Sequence, residues 1–434
     1  MGATESLAPI VASPHESRFF ALPPGVTLIE PAEGSPGVTF PTGFLAGGVT
    51  VGLKQSGRPD MGAVCVAPEW RDSTVSSCAF TTNAFAAAPV VVNRRECDLA
   101  HVVAVTVNSG NANACTGANG LAVARAMQSS CAAVLGVPTD RVAVGSTGII
   151  GVQLDVAFMS AAANTAATAV GPDGGPDFSR SIMTTDRYAK VCAVEIALPA
   201  GTVRMGTCAK GAGMISPAMA TMICVVTTDA VLAADEAAGM LKAAVAGSFN
   251  QVTVDGEMST NDSVFFLANA ASGVQLGSAD LTLVGETLKA MLLRIALMMV
   301  ADGEGATKIV KATVRGADSD KEAARVCRAI ADSPLVKTAV HGGDPNWGRV
   351  ISSAGAALPG RSLPDACLYL CGTKVVEGGA AADVAEADWT ALVTAMKQSE
   401  IEIDLDLRVG DGEGEVFFSD LGHEYITINA EYHS

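Results

Sequence analysis

Chemistry in this sequence concentrates at one threonine. In MGTCAKGAGMISPAMATMICVVTTDA (Met205–Ala230) a Gly/Pro-rich loop gives way to an apolar, β-like run at Met222, and Thr221 is the residue at the junction. A hydroxyl held in such a loop can attack the carbonyl of the preceding residue, Ala220. An N-to-O acyl shift and hydrolysis of the resulting ester then cut the chain between Ala220 and Thr221. The new N-terminal threonine carries its own base, an α-amine with a reference pKa of about 7.7–8.0. That answers the ordinary weakness of a hydroxyl as a nucleophile at neutral pH. Taken alone, a threonine ahead of a strand is usually nothing more than that.

The other polar positions are bland when read singly. GSTGIIG (Gly145–Gly151) reads as a strand entering a Gly turn, NSGNANACTGANG (Asn108–Gly120) as a Gly/Asn connection tolerant of positive φ, and Lys210 as a loop lysine. DGEGA (Asp302–Ala306) and DGEGE (Asp411–Glu415) lack the alternating oxygen spacing of calcium loops and read as turns. No GxGxxG follows a strand, and GxxxxGK[ST], HExxH and GxSxG are absent. The five His (15, 101, 341, 423, 433) are dispersed, so no metal site is expected. The 11 Cys include no CxxC pair, which reads as reduced thiols in a cytosol-like compartment.

The elements that must hold Thr221 belong to a large mixed fold. The chain has 434 residues, 49% hydrophobic and 17% charged, with much of the apolar share in Ala and Val and with 45 Gly. A net charge of −17 gives no attraction for nucleic acid or anionic lipid, so neither is expected as a partner. The first residues have no basic n-region with a continuous apolar core, so they do not read as a signal peptide. The longest apolar run, Ile295–Ala301, is too short to span a bilayer. Residues 1–35 read as an irregular arm. Strands are expected at MGAVCVAPE, HVVAVTVNSG, Ala189–Leu198, Gly201–Cys208, Ile401–Val409, Glu415–Phe418 and Tyr425–Asn429. Helices are expected at Leu121–Leu135, Ala233–Val245, Gly285–Val300 and Lys321–Asp332, with another opening near Thr81 and ending at Pro89. GPDGGPDF (171–178) reads as a surface loop. Without strict βαβ alternation, the order suggests layered α/β with antiparallel or mixed sheets.

KGAGMISPAMATM (Lys210–Met222) resembles the self-cleavage segment of the ornithine acetyltransferase family, the bifunctional glutamate N-acetyltransferases of arginine biosynthesis. So do GVTFPTGFLAGGVTVGLK, FTTNAFAAAPVVV, NSGNANACTG, GSTGIIG, SIMTTD, VADGEGATK, SPLVKTAVHGGDPNWGR and the terminal INAEYHS, in the family's order. The resemblance implies an αββα sandwich of the N-terminal-nucleophile kind, made of an α chain (36–220) and a β chain (221–434) that stay intertwined after cleavage at Ala220–Thr221. It implies Thr221 as nucleophile, with Thr147 and Gly148 as oxyanion hole. Thr184, Lys210, Thr221, Glu304, Asn429 and Ser434 would contact substrate, with the C-terminus buried near the site. The implied reaction moves acetyl from N2-acetylornithine to glutamate with no cofactor, and acetyl-CoA is an alternative donor in some members. An α2β2 tetramer is implied, in the cytoplasm, or in a plastid or mitochondrial matrix if a presequence has been removed. Ala212, Ala218, Thr427 and His433 depart from the usual pattern, which bears on substrate preference. Asp344, Asn346 and Arg349 read as structural. The rival chemistry on a similar fold is an aminopeptidase or amidohydrolase that passes the acyl group to water.

Overall fold

Strand Ile223–Thr228 is buried along its whole length, and its alternation shows why. Ile223 and Val225 join one apolar core, while Cys224 and Val226 join another. The neighbouring strand Ser263–Ala268 divides the same way, Phe265 and Leu267 to one side, Val264, Phe266 and Ala268 to the other. A side-chain period of two with both faces apolar demands cover on both faces. The computed structural model, which describes residues 16–30, 35–216 and 222–431, supplies that cover.

On one side lies a four-stranded sheet ordered Phe44–Val49, Met61–Val66, Ala104–Asn111, Val142–Ile149. Its Val64, Val66, Val105 and Val107 meet Phe265 and Val225 across the sheet-to-sheet core. Its outer face, with Met61, Ala63 and Val144, packs on helices Ala88–Glu96, Gly117–Leu135 and Val156–Thr168. The other side of the six-stranded sheet is covered by helices Ala234–Ala246 and Ser278–Ala301. Helices, sheet, sheet, helices is the αββα order. The Ala-rich composition has its use here, since Ala162, Ala163 and Ala166 present a smooth helix face to the core.

The six-stranded sheet runs Val26–Leu28, Lys190–Leu198, Gly201–Lys210, Ile223–Thr228, Ser263–Ala268, Val75–Phe80. Gly201–Lys210 pairs antiparallel with Ile223–Thr228, so Lys210 lies opposite Ile223. A third sheet of seven strands, led through Ile309–Ala317, Glu400–Asp406 and Gly412–Ser419, carries its own core against helices Asp320–Ala331, Pro334–Gly342 and Trp347–Ala356. Parallel and antiparallel pairs coexist in all three sheets. Asn346 caps Trp347–Ala356, and Arg349 donates to Leu335 O, so the HGGDPNWGR run joins two helices.

Four readings need correction. Pro89 opens a helix instead of closing one, because at the first turn it forfeits no intrahelical N–H bond. GPDGGPDF is not a plain loop: helix Gly175–Ser181 starts inside it and sinks Phe178, fully buried, into the sheet-to-sheet core. Part of the irregular arm is ordered, since Val26–Leu28 extends the six-stranded sheet by pairing with Val194–Ile196. Tyr425–Asn429 is helical, within His423–Glu431. Its short apolar run suits a strand or a helix equally, and among the described residues it pairs with no strand.

Candidate active site

The Ser146-Thr147-Gly148 turn grows from a parallel strand pair. Ala104–Asn111 and Val142–Ile149 run side by side until Gly110 faces Gly148. Side-chain amides then lock the turn. Ser146 Oγ donates to Asn108 Oδ1 at 2.6 Å, and Asn261 Nδ2 donates to both Ala112 O and Ser146 O at 2.6 and 2.8 Å. Gly148 sits at φ +129°, and a side chain there would run into the Gly110 carbonyl carbon. Gly148→Ala therefore cannot keep this turn. We expect it to lower acyl transfer on the order of 100-fold or more, the range for a lost oxyanion donor, with a near-native circular dichroism spectrum. A variant with native kcat/KM would show that the turn has no part in the chemistry.

Lys210 ends its strand 2% exposed and points across to this turn, donating from Nζ to Thr147 Oγ1 at 3.0 Å. Thr147 accepts that bond, which leaves its own O–H free to be donated to a third oxygen. Burial draws the Lys210 pKa below the ordinary lysine value, with Asp186, Glu304 and Asp262 pulling it back and Lys190 adding to the fall. The site thus holds a poorly solvated cation next to a polarised hydroxyl, an arrangement suited to an anionic oxygen.

Beneath Lys210 lies a buried ion network. Lys190 Nζ lies 2.6 Å from Asp186 Oδ1 and 2.6 Å from Asp302 Oδ2, all three side chains being fully enclosed. Asp186 also accepts the N–H of Thr184 at 2.9 Å and that of Gly211 at 2.7 Å. Asp302, at the end of helix Ser278–Ala301, accepts from Arg187 Nε at 2.7 Å. Burial alone would raise the Asp186 pKa. Lys190, Lys210 and the Gly211 N–H outweigh it and hold that carboxyl well below the usual carboxylate range. One cation thereby ties three segments, those of Thr184, Lys210 and Glu304.

Glu304 follows in the turn after Asp302. Its N–H donates to Ala212 O at 3.0 Å, and its carboxylate lies against Gly213, where a Cβ would come within 2.7 Å of Glu304 Cδ. Gly213 is the price of that approach. Asn429 Nδ2 donates to Glu304 Oε2 at 2.8 Å. On the far side of the loop Asp255 accepts the N–H groups of Met214 and Ile215, and burial lifts its pKa to about 6.

The structure therefore brings Thr147, Gly148, Lys210, Glu304 and Asn429 into one neighbourhood, with Thr184 joined to it through Asp186. Ala218, Ala220, Thr221, His433 and Ser434 lie outside the described residues. Ala212 is buried, and Thr427 is exposed with its hydroxyl on His423 O. The expected burial of the C-terminal segment is not met through Ala430: Asn429 is exposed and Ile426 keeps 65% of its surface. The helix His423–Glu431 touches the site through one face only, so its outer face stays in solvent. Sequence reasoning missed Asp186, Lys190, Asp302, Asp255 and Asp262. A lysine opening an otherwise apolar strand, KVCAVEIAL, was the available signal for the network.

Among the described residues no group of three or more His, Cys, Asp or Glu could hold a metal ion, and no helix is long and apolar enough to cross a membrane.

Comparison with known proteins places this site in context. The ArgJ family matches residues 45–434. The arginine biosynthesis bifunctional protein ArgJ of Nitratidesulfovibrio vulgaris is 42% identical over 396 residues, covering 91% of this chain and 99% of that protein. Its namesake in Bifidobacterium longum is 40% identical over 92% of this chain and all of its own length. Among solved structures, the ornithine acetyltransferase of Mycobacterium tuberculosis complexed with ornithine aligns at 36% identity with a TM-score of 0.39, over 44% of this chain and 98% of that one.

Proposed function

We infer what this chain does from where it belongs: it is a member of the ArgJ family. It is an acyltransferase of arginine biosynthesis that moves acetyl from N2-acetylornithine to glutamate, with Thr221 as nucleophile and as the first residue of a chain released by cleavage at Ala220–Thr221. The Thr221 hydroxyl attacks the acetyl carbonyl, the amide C–N bond breaks, and ornithine leaves with the hydroxyl proton. The glutamate amine then attacks the acetyl ester, and N-acetylglutamate departs as the hydroxyl is restored. The fully buried Lys210–Thr147 hydrogen bond at 3.0 Å carries this reading. It supports a role for the Thr147 O–H, with Gly148 beside it, in stabilising a tetrahedral oxyanion. Glu304 suits the substrate ammonium, held in orientation by Asn429, and Lys210 suits a carboxylate. Thr184 and Ser434 complete the pocket in this reading, acetyl-CoA is a second donor, and two cleaved pairs associate as α2β2 in the cytoplasm.

The test is a product balance on the purified protein. Supplied with N2-acetylornithine and glutamate, it should yield ornithine and N-acetylglutamate in equal amounts. Free acetate in place of N-acetylglutamate, or cleavage of peptide amides, would move the assignment to a hydrolase. Adding acetyl-CoA without acetylornithine reads the second donor, and light scattering reads the assembly.

A further inference from the structure

A second lysine approaches the Thr147–Gly148 turn. Lys54 sits in a loop that one carboxylate builds. Asp60, fully buried, accepts the N–H groups of Val51, Gly52, Leu53 and Lys54 at 2.7, 3.1, 2.6 and 3.0 Å. The Asp60 carbonyl accepts the Ser109 N–H at 2.9 Å, which fixes the loop to strand Ala104–Asn111. Gly110 follows Ser109 and pairs with Gly148. A side chain at Gly148 would run into the Gly110 carbonyl carbon, and one at Gly110 would come within 3.2 Å of Lys54 Cγ. The Lys54 stem therefore lies against the residue that lies against Gly148. Lys210 meets the same turn through Thr147.

Lys54 is half-buried, and among the described residues its ammonium donates one hydrogen bond, to Pro59 O at 2.7 Å. An ammonium carries three N–H donors, so two remain for solvent or a ligand. The nearest acids are already engaged, Asp60 by its four N–H groups and Asp186 by Lys190, Thr184 and Gly211. Burial lowers the Lys54 pKa to about 8, with Asp60 and Asp186 pulling it back and Lys210 and Arg58 adding to the fall. A half-buried lysine with no carboxylate paired to it among the described residues, on a braced loop and beside a second lysine, suits an anion that arrives with the substrate.

We propose that Lys54 binds the side-chain carboxylate of the acceptor amino acid and so sets a preference for a dicarboxylic acceptor; this rests on the function proposed above. There Lys210 takes the α-carboxylate that both substrates carry, and Glu304 takes an ammonium. Glutamate has one carboxylate left over, and Lys54 is the second cation at the same turn. N2-Acetylornithine ends its side chain in a cation, to which Lys54 offers no attraction. Lys210 and Lys54 thus divide recognition: one binds what the two substrates share, the other what distinguishes them. Lys54 makes and breaks no covalent bond. A lysine that merely closed its loop on Pro59 O would act on both substrates alike.

The experiment compares glutamate with glutamine as acceptor of acetyl from N2-acetylornithine, in the wild type, Lys54→Met and Lys54→Arg. The two acceptors differ in side-chain charge and hardly in size. The wild type should favour glutamate in kcat/KM, and Lys54→Met should cut that preference about 10–100-fold, the scale of a hydrogen bond to a charged group. Methionine keeps the stem beside Gly110 and removes the cation. Lys54→Arg keeps a cation and should retain most of the preference. In Lys54→Met, kcat/KM for N2-acetylornithine should fall much less than that for glutamate. The preference is a ratio taken on one preparation, so a partly folded variant does not alter it. An unchanged preference in Lys54→Met would overturn the proposal. So would an equal fall for all three substrates, loss of the fold in Lys54→Met, or a wild type indifferent between glutamate and glutamine. A wild type that makes no N-acetylglutamate sinks the proposed function itself, and Lys54 with it. Transfer to glutamate by the wild type beside a native preference in Lys54→Met sinks Lys54 alone.

Discussion

Thr221→Ala is expected to give a single 43.9 kDa chain with no measurable acetyl transfer, and the wild type two chains, the second beginning at Thr221, if the proposed cleavage holds. The substitution removes one oxygen and two functions. Without the hydroxyl there is no N-to-O shift, so the Ala220–Thr221 bond survives. Without the cut there is no free α-amine to take the hydroxyl proton, so even a hydroxyl supplied elsewhere would lack its base. Losses from nucleophile and base acting as a unit do not add, and a fall of roughly 10⁴-fold or more in kcat is the expected scale. Thr221→Ser keeps the oxygen but lacks the γ-methyl that restricts χ1, so it should still cut, more slowly. Intact-mass spectrometry reads both variants. An uncut wild-type chain that transfers acetyl at full rate would end the N-terminal-nucleophile mechanism.

That experiment falls on a residue whose place, between a Gly/Pro loop and a buried strand, is ordinary by itself and which the resemblance of its surroundings to the ornithine acetyltransferase family singled out. The strands themselves were legible for the same reason: runs such as MGAVCV and ICVVTT are apolar on both faces because each is sandwiched, and that needs no knowledge of partners. Local signals failed where a partner decides the outcome. Phe178 is a core residue inside a run of Gly, Pro and Asp, and only the packed sheets reveal the hole it fills. Tyr425–Asn429 pairs with no strand among the described residues, and its backbone is helical instead. The ion network was hidden for a like cause. Asp186 and Asp302 are far apart in sequence, and Lys190 relates them only once helix Ser278–Ala301 has docked on the sheet.

Lys190→Met is the second large effect, and it acts without touching substrate. Methionine matches the lysine stem but leaves two enclosed carboxylates, Asp186 and Asp302, with their shared cation gone. Removing one partner of a buried pair costs about 3–5 kcal/mol, and here one cation serves two acids. The sign of the pH dependence follows. In the wild type the Asp186 pKa is depressed, so its contribution is present above about pH 4 and is lost as pH falls further. In the variant burial acts on Asp186 with its main opposing cation removed. Its folded pKa rises above the unfolded value, the native state binds the extra proton, and stability falls as pH rises. Thermal melts should therefore show the variant closest to wild type near pH 4–5 and weakest near pH 8. Because Lys190 ties the segments of Thr184, Gly211 and Glu304, transfer should fall about 100-fold in kcat/KM, the cost of misplacing groups by an ångström. Asp186→Asn and Asp302→Asn added to Lys190→Met separate the two effects. Neutralising all three groups should return most of the stability while leaving transfer low. If activity returns with the melting temperature, the network does no more than hold the fold. If it does not, the network sets the distance between Lys210 and Glu304, the two groups proposed to recognise an amino-acid substrate.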